Sequence, residues 1–327
     1  MQRIPLEPVD SVTVTSLMDN VSDLLLQDQG PAKRASINNA SAPHMAARFI
    51  EDSDVGDTLR AEHGFSALVS VDKGGRTHNI LFDAGVSPDG VVDNMRRLSF
   101  SPKDLKAMVM SHGHFDHTVG LDGLAGELGT VNLPVMVHPE FWSRRRIAIP
   151  GRRASELPTT SKSALVGAGF EMIEDRQPSF LLGGSILITG EVDRTTEYET
   201  GFGVHQAFRD GGWQPDPLIL DDQALILNVR DKGLVVLTGC GHAGIVNIVR
   251  YAKRLTGVND VHAAIGGFHL NGPLFEPIIP ATIAALSELN PRYIVPAHCT
   301  GWRAVHAIAA ALPDAFIQNS VGTRFEL

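Results

Sequence analysis

Ser111-His112-Gly113-His114-Phe115-Asp116-His117, entered from the apolar run Ala107-Met108-Val109-Met110 and left through Thr118-Val119-Gly120-Leu121, sets three imidazoles and one carboxylate within a single turn of chain. Imidazole nitrogens and carboxylate oxygens are ordinary ligands of zinc, manganese and iron, and a hydrolytic centre keeps one position free for water. His112 and His114, two apart in extended or turning backbone, can point to one side and grip one ion. Asp116 and His117, where the chain turns into the helix expected over 118–128, can aim at a second. A buried strand before the motif and a glycine-bearing helix after it place the cluster at a strand-to-helix turn.

Outward from this turn, apolar runs predict strands over 12–17, 65–71 and 79–82, the last ending in Asp83-Ala84-Gly85, then a helical piece over 91–98 and a strand over 134–138. The last third predicts strands over 224–229, 234–238, 262–265, 293–295 and 315–318, with helices over 245–255, 280–289 and 302–311. Two stretches stand apart. The polar segment 27–62 exceeds a normal loop and is expected to be partly helical, a lid or mobile. The segment 142–222 is the least regular and is expected to form loops that shape a pocket, with one strand over 185–189.

The 327 residues fit one domain spanning 1–327, and 43% hydrophobic with 20% charged residues is an ordinary globular balance. A net charge of −9 disfavours a broad nucleic-acid-binding face, so no nucleic acid is expected as partner. The N-terminal stretch lacks the apolar core of a signal peptide, and no apolar run is long enough for a membrane span; a cytoplasmic location without membrane contact is the expectation. Two cysteines, Cys240 and Cys299, do not make a disulfide framework.

His112-x-His114-x-Asp116-His117 after a hydrophobic strand resembles the signature of the metallo-β-lactamase superfamily, and Phe82-Asp83-Ala84-Gly85 resembles its upstream aspartate motif. The resemblance runs from about Val12 to the C-terminus. It implies an α/β fold, the αββα sandwich, in which two packed mixed β-sheets are flanked by helices and the metals sit at one edge. It implies also that Asp83 holds the motif from beneath by hydrogen bonds and that His298, after Arg292-Tyr293-Ile294-Val295-Pro296-Ala297, binds the second metal. Further stretches narrow it: Met18-Asp19-Asn20, Glu62-His63-Gly64-Phe65-Ser66, Thr238-Gly239-Cys240-Gly241-His242, Gly266-Gly267-Phe268-His269-Leu270 and Pro296-Ala297-His298-Cys299-Thr300-Gly301. Together they are similar to the branch named for 7,8-dihydropterin-6-methyl-4-(β-D-ribofuranosyl)aminobenzene-5′-phosphate synthase, a name that does not by itself fix the substrate.

The departures from the superfamily pattern decide the remaining ligands. Many relatives carry a bridging aspartate where this chain has Cys240, and their middle histidine, expected at an upstream strand end, is replaced by Glu191 in Ser185-Ile186-Leu187-Ile188-Thr189-Gly190-Glu191. His242 is expected to complete a trio with His112 and His114, with Cys240 near or bridging the metals as thiolate. The alternatives are a merely packed Cys240, a helix-capping His242, and coordination by Glu191. His269, among glycines at a strand end, and His63 are candidates for the pocket. Arg144-Arg145-Arg146 with Arg152-Arg153 can bind an anionic substrate or be solvated surface, and Tyr198, Phe202, Phe208 and Trp213 can stack on a flat ring or anchor loops. His44, His78, His138, His205, His262 and His306 receive no role.

The resulting expectation is a hydrolase with two divalent ions, zinc first and manganese or iron as alternatives, that activates water toward a small, anionic or pterin-like substrate. A phosphoester, a lactone and the condensation implied by the branch name all remain open. Asp116 binds metal and orients the water, and His269 handles charge on the leaving side. Rival expectations are an iron-dependent redox enzyme and a non-catalytic metal or ligand sensor; a nuclease ranks below them.

Overall fold

Leu234-Val235-Val236-Leu237 lies in the strand Gly233–Thr238, and its side chains alternate between two different apolar layers. Val235 and Leu237 join the cluster between the two large sheets, whereas Leu234 and Val236 face the helices Ile245–Thr256 and Ile279–Leu289. Successive strand residues point to opposite faces, so a strand covered on both sides reads as an unbroken apolar run. The computed structural model describes residues 3–35, 43–130 and 132–327.

One sheet has eight strands in the order Phe170–Glu174, Leu133–Val137, Leu105–Val109, Arg76–Phe82, Ser66–Lys73, Ser11–Met18, Arg324–Glu326 and Ala32–Lys33. The other has six, in the order Ser179–Leu181, Ile186–Ile188, Leu225–Val229, Gly233–Thr238, Val261–Gly267 and Tyr293–Ala297. Both mix parallel and antiparallel pairs. A third apolar cluster joins the eight-stranded sheet to the helices Gly90–Arg97 and Leu121–Leu128, which completes the αββα sandwich. Parallel strands bring their carboxyl ends to one edge, where open α/β sheets place their ligands. Asp83 and the 111–117 turn leave one sheet at that edge, and Cys240, His269 and His298 follow the strands that leave the other.

Four expectations need correction. The helix after the motif starts at Leu121 rather than at 118, because Phe115–His117 form a separate 3-10 turn. The residues around 315–318 make only an isolated bridge, Ile294 to Phe316; the closing strand is Arg324–Glu326, which crosses to the eight-stranded sheet and pairs with Ser11–Met18. In the segment 27–62, residues 36–42 lie outside the described residues. The remainder supplies Ala32–Lys33 and the strand pair His44–Ala46 with Asp54–Gly56, and its helical content is the 3-10 turn Glu51–Ser53. Nor is the segment 142–222 simply looped: Ser155–Glu156, Arg145–Ile147, His205–Arg209 and Gly212–Pro215 form a four-stranded sheet. These strands are short and rich in arginine and glutamine, so they lack the apolar alternation by which a strand is recognised. Among the described residues no helix is long and apolar enough to cross a membrane.

Candidate metal centre

Asp83 is buried at the end of the strand Arg76–Phe82, with a left-handed φ of 58° that turns its carboxylate under the histidine motif. Its Oδ1 accepts the Ser111 backbone N–H at 2.7 Å, and its Oδ2 accepts the Ser111 hydroxyl and the His117 Nδ1–H, each at 2.7 Å. The absence of a side chain at Gly239 makes room for this, since a Cβ there would sit 2.1 Å from Ser111 Oγ and 2.7 Å from Asp83 Oδ2. Ser111 has one hydroxyl proton and gives it to the carboxylate, so its oxygen accepts Nδ1–H of His112 at 2.9 Å. One carboxylate therefore aims Nε2 of both His112 and His117 into the same space.

Two donor groups converge there: His112, His114 and His242, and Asp116, His117, Cys240 and His298, with the donor atoms of each within 4.8 Å of one another. His114 Nδ1 lies 2.9 Å from His112 Nε2 and 3.2 Å from His242 Nε2. Zinc–nitrogen bonds of about 2.0–2.1 Å in a tetrahedron put neighbouring ligand atoms roughly 3.3 Å apart, close to these separations. In the second group His117 Nε2 is 3.1 Å from Cys240 Sγ, and His298 Nε2 is 3.3 Å from Asp116 Oδ2. That last pair is out of line for a hydrogen bond, and both ring nitrogens of His298 are buried without a partner. Buried polar atoms without partners are costly, and a cation between the donors satisfies them. The residues present fit two divalent ions.

Electrostatics separate the two groups. Burial, then the neighbouring imidazoles, hold His112 well below the ordinary histidine range; His114 and His242 are lowered in the same way, with Arg145 and His269 the leading charges. All three are neutral and ready to ligate at neutral pH. In the second group burial works against ionisation of Asp116, but the His117, His298 and His114 imidazoles hold its carboxyl far below the usual range. Burial likewise opposes protonation of His117, yet Asp83 and Asp116 raise its pKa. Burial and a hydrogen bond with Cys299 push the Cys240 thiol well up. A bound cation reverses that last preference, because a coordinating thiol is deprotonated outright.

The other predicted residues fall at varying distances from this centre. The ring of His269 lies 4.3 Å from that of His242 and 4.4 Å from that of Phe275, at a left-handed φ of 42°, with Nδ1 buried and unpartnered. Beside it is a cavity of about 40 Å³, walled by Tyr198, Glu199, His242, Phe268, His269 and Phe275. His63 is exposed at the rim, its ring 5.1 Å from that of His298. Glu191 joins neither group. Gly190 turns the chain so that Glu191 N–H donates to the Arg176 carbonyl, and the Glu191 carboxylate takes Arg176 at 2.9 Å and His138 at 3.2 Å. Arg144 is exposed, paired with Glu156 and laid over Phe208 and Trp213, while Arg146 covers the other contact of the Trp213 ring; neither Arg144 nor Trp213 lines the cavity. The larger cleft of about 660 Å³, around Lys232, Asp260, His262 and Arg292, lies where the parallel strands begin, opposite the donor groups.

Two participants carried no usable sequence signal. His205, assigned no role, is buried with Nε2 3.0 Å from His114 Nε2. Arg145, the buried member of the arginine run, holds Asp221 at 2.6 Å, and Asp221 accepts the Gly113 N–H at 2.8 Å inside the motif. Only strand alternation distinguishes Arg145 from its neighbours.

A sequence profile of the Metallo-beta-lactamase superfamily matches residues 60–255. The 7,8-dihydropterin-6-methyl-4-(beta-D-ribofuranosyl)-aminobenzene-5'-phosphate synthase of Methanocaldococcus jannaschii is 33% identical over 266 residues, covering 80% of this chain and 89% of that protein. An uncharacterized protein of the same organism is 32% identical over 277 residues, covering 84% and 97%. The crystal structure of a metal-dependent hydrolase of the beta-lactamase superfamily aligns over 97% of this chain and 99% of its own, with a TM-score of 0.71 and 23% identity, a likeness of fold.

Proposed function

The chain belongs to the metallo-beta-lactamase superfamily, and from that premise we propose that it is a dinuclear metal-dependent hydrolase acting on a small organic substrate. The observation that carries this reading is the convergence of two complementary donor groups on one edge, above a single carboxylate that orients a histidine of each. Divalent cations bound there, zinc first with manganese or iron as alternatives, acidify water toward neutral pH and polarise the oxygen under attack.

The chain's own residues divide the remaining work. His112, His114 and His242 hold one ion as neutral imidazoles, and Asp116, His117, His298 and the Cys240 thiolate hold the other. Asp83 fixes His117 directly and His112 through Ser111, which keeps their Nε2 atoms aimed inward. Asp116 is ionised and is the acceptor best placed to orient the proton of the attacking water. His269, with an unpartnered Nδ1 beside His242, is assigned to the leaving side, where it hydrogen-bonds the departing oxygen.

Tyr198, Phe268, His269 and Phe275 wall the adjoining cavity, which at about 40 Å³ has room for solvent rather than for a substrate ring. The relative's name supports a pterin-like or phosphorylated molecule, with phosphoester or lactone cleavage as the primary reaction. Its 33% identity also supports a second reading, the condensation for which that relative is named. The test is elemental analysis of protein purified without added metal, followed by assays on a phosphodiester, a lactone and a dihydropterin with its phosphorylated partner. Two ions per chain, and activity lost to a chelator and restored by zinc or manganese, are expected. Turnover that survives removal of every ion would overturn the proposal.

A further inference from the structure

We propose that His205 is a positioning residue for this centre: it holds His114 in the tautomer whose Nδ1 is free for an ion, tying metal affinity to the small four-stranded sheet. The inference rests on the metal-centre reading above. His205 begins the strand His205–Arg209 and is fully buried, 91 residues from the histidine it meets.

The proton assignment follows from the acceptors. His205 Nδ1 lies 3.0 Å from the Asp216 backbone oxygen and 3.3 Å from its carboxylate Oδ2, and both can only accept, so Nδ1 carries the proton. With that single proton on the ring, His205 offers a lone pair at Nε2, and His114 Nε2, 3.0 Å away, donates to it. With its proton on Nε2, His114 presents a bare Nδ1 toward His112 Nε2 and His242 Nε2. The opposite tautomer would put a hydrogen into the space between the three donors. A metal-binding histidine usually has its orientation fixed by whatever its other nitrogen bonds.

The small sheet is tied to the motif at two points. Asp216 N–H donates back to the His205 carbonyl at 2.9 Å, which closes a reciprocal pair around the ring. Arg145, on the adjacent strand with Ala207 opposite it, pairs with Asp221, which in turn takes the Gly113 N–H. The same sheet therefore grips the motif at Gly113 and, through His205, at His114. Removing His205 leaves a buried N–H without an acceptor and the tautomer unconstrained.

The test combines nitrogen-15 NMR of histidine-labelled, metal-free protein with zinc titration against a competing chelator for the wild type, His205→Ala and His205→Gln. The wild type should show His114 protonated at Nε2 and His205 at Nδ1. His205→Ala should bind one of its two ions about 10–100-fold more weakly. His205→Gln, whose amide oxygen can accept the same proton, should recover to within a few-fold. A proton on His114 Nδ1 in the metal-free wild type would overturn the inference, as would His205→Ala binding both ions like wild type. So would a His205→Gln no better than His205→Ala while melting with the wild type. Should the wild type bind no ion at all, the metal-centre reading fails on its own, and the tautomer result alone decides the role of His205.

Discussion

The two donor groups sit side by side yet are built on opposite principles. His112, His114 and His242 are three neutral imidazoles, pre-deprotonated by burial and mutual repulsion. Asp116, His117, Cys240 and His298 mix an ionised carboxylate, imidazoles and a thiol that must give up a proton before it can ligate. The first group should therefore accept a divalent ion with little proton release, and the second should release at least one proton per ion bound. They share only their foundation, the Asp83 carboxylate, which reaches one group directly and the other through a serine.

The largest effect is expected where that foundation is removed. Asp83→Ala strips the acceptor from the Ser111 N–H, the Ser111 hydroxyl and His117, and should cost about 3–5 kcal/mol of stability together with both ions. Elemental analysis and thermal melting read both losses; a variant that lost only one ion would break the claim of a common support. Next, Cys240→Ser acts on the second group alone. It should retain the first ion, weaken the other about 10–100-fold for zinc, and shift preference toward manganese, because a hydroxyl is a harder ligand than a thiolate. Competition between the two metals measures this, and equal weakening at both sites would contradict the division.

A smaller effect is expected from pH in the metal-free protein. Burial lowers His269 and His298 to about 4, and His112, His114 and His242 lie well below the ordinary value of 6.5. The unfolded chain takes up protons there that the folded chain refuses, so stability present above about pH 6.5 drains away as pH falls toward 4. Asp19 and Asp222, both raised to about 6 by burial, act in the opposite sense over the same window. A net loss is expected because the lowered histidines outnumber the raised aspartates, visible as a falling melting temperature that bound zinc postpones to lower pH. A melting temperature that rose on acidification would place the charged histidines in the folded state. Smallest of all, Arg144→Ala removes an exposed guanidinium paired with exposed Glu156, and should change stability by no more than about 0.5 kcal/mol and metal content not at all. A lost ion in that variant would bring Arg144 into the site.

The same contrast explains what was legible in the sequence. The layered core could be read because strands such as Leu234-Val235-Val236-Leu237 are apolar on both faces and helices such as Ile245–Thr256 carry a 3.6-residue pattern. Donors at strand ends were legible for a related reason: a strand that ends in a histidine or cysteine delivers it to a known edge, and His242 meets His112 and His114 there. Glu191, weighed only as the alternative ligand, joins neither group because the positive-φ turn at Gly190 redirects the chain toward Arg176, a choice made by local backbone geometry. His205 and Arg145 were hidden more deeply. Each belongs to a short polar strand, each meets a partner 76 or 91 residues away, and only strand alternation separates Arg145 from the arginines beside it.

The division into two donor groups requires one ion in each. Anomalous diffraction at the zinc edge, from crystals of the zinc-loaded protein, answers this directly. Two peaks are predicted, one within about 2.1 Å of His112 Nε2, His114 Nδ1 and His242 Nε2, the other among Asp116, His117 and His298 with Cys240 Sγ at about 2.3 Å. A single peak, or two peaks with His242 turned away and the Glu191 carboxylate in its place, would contradict it.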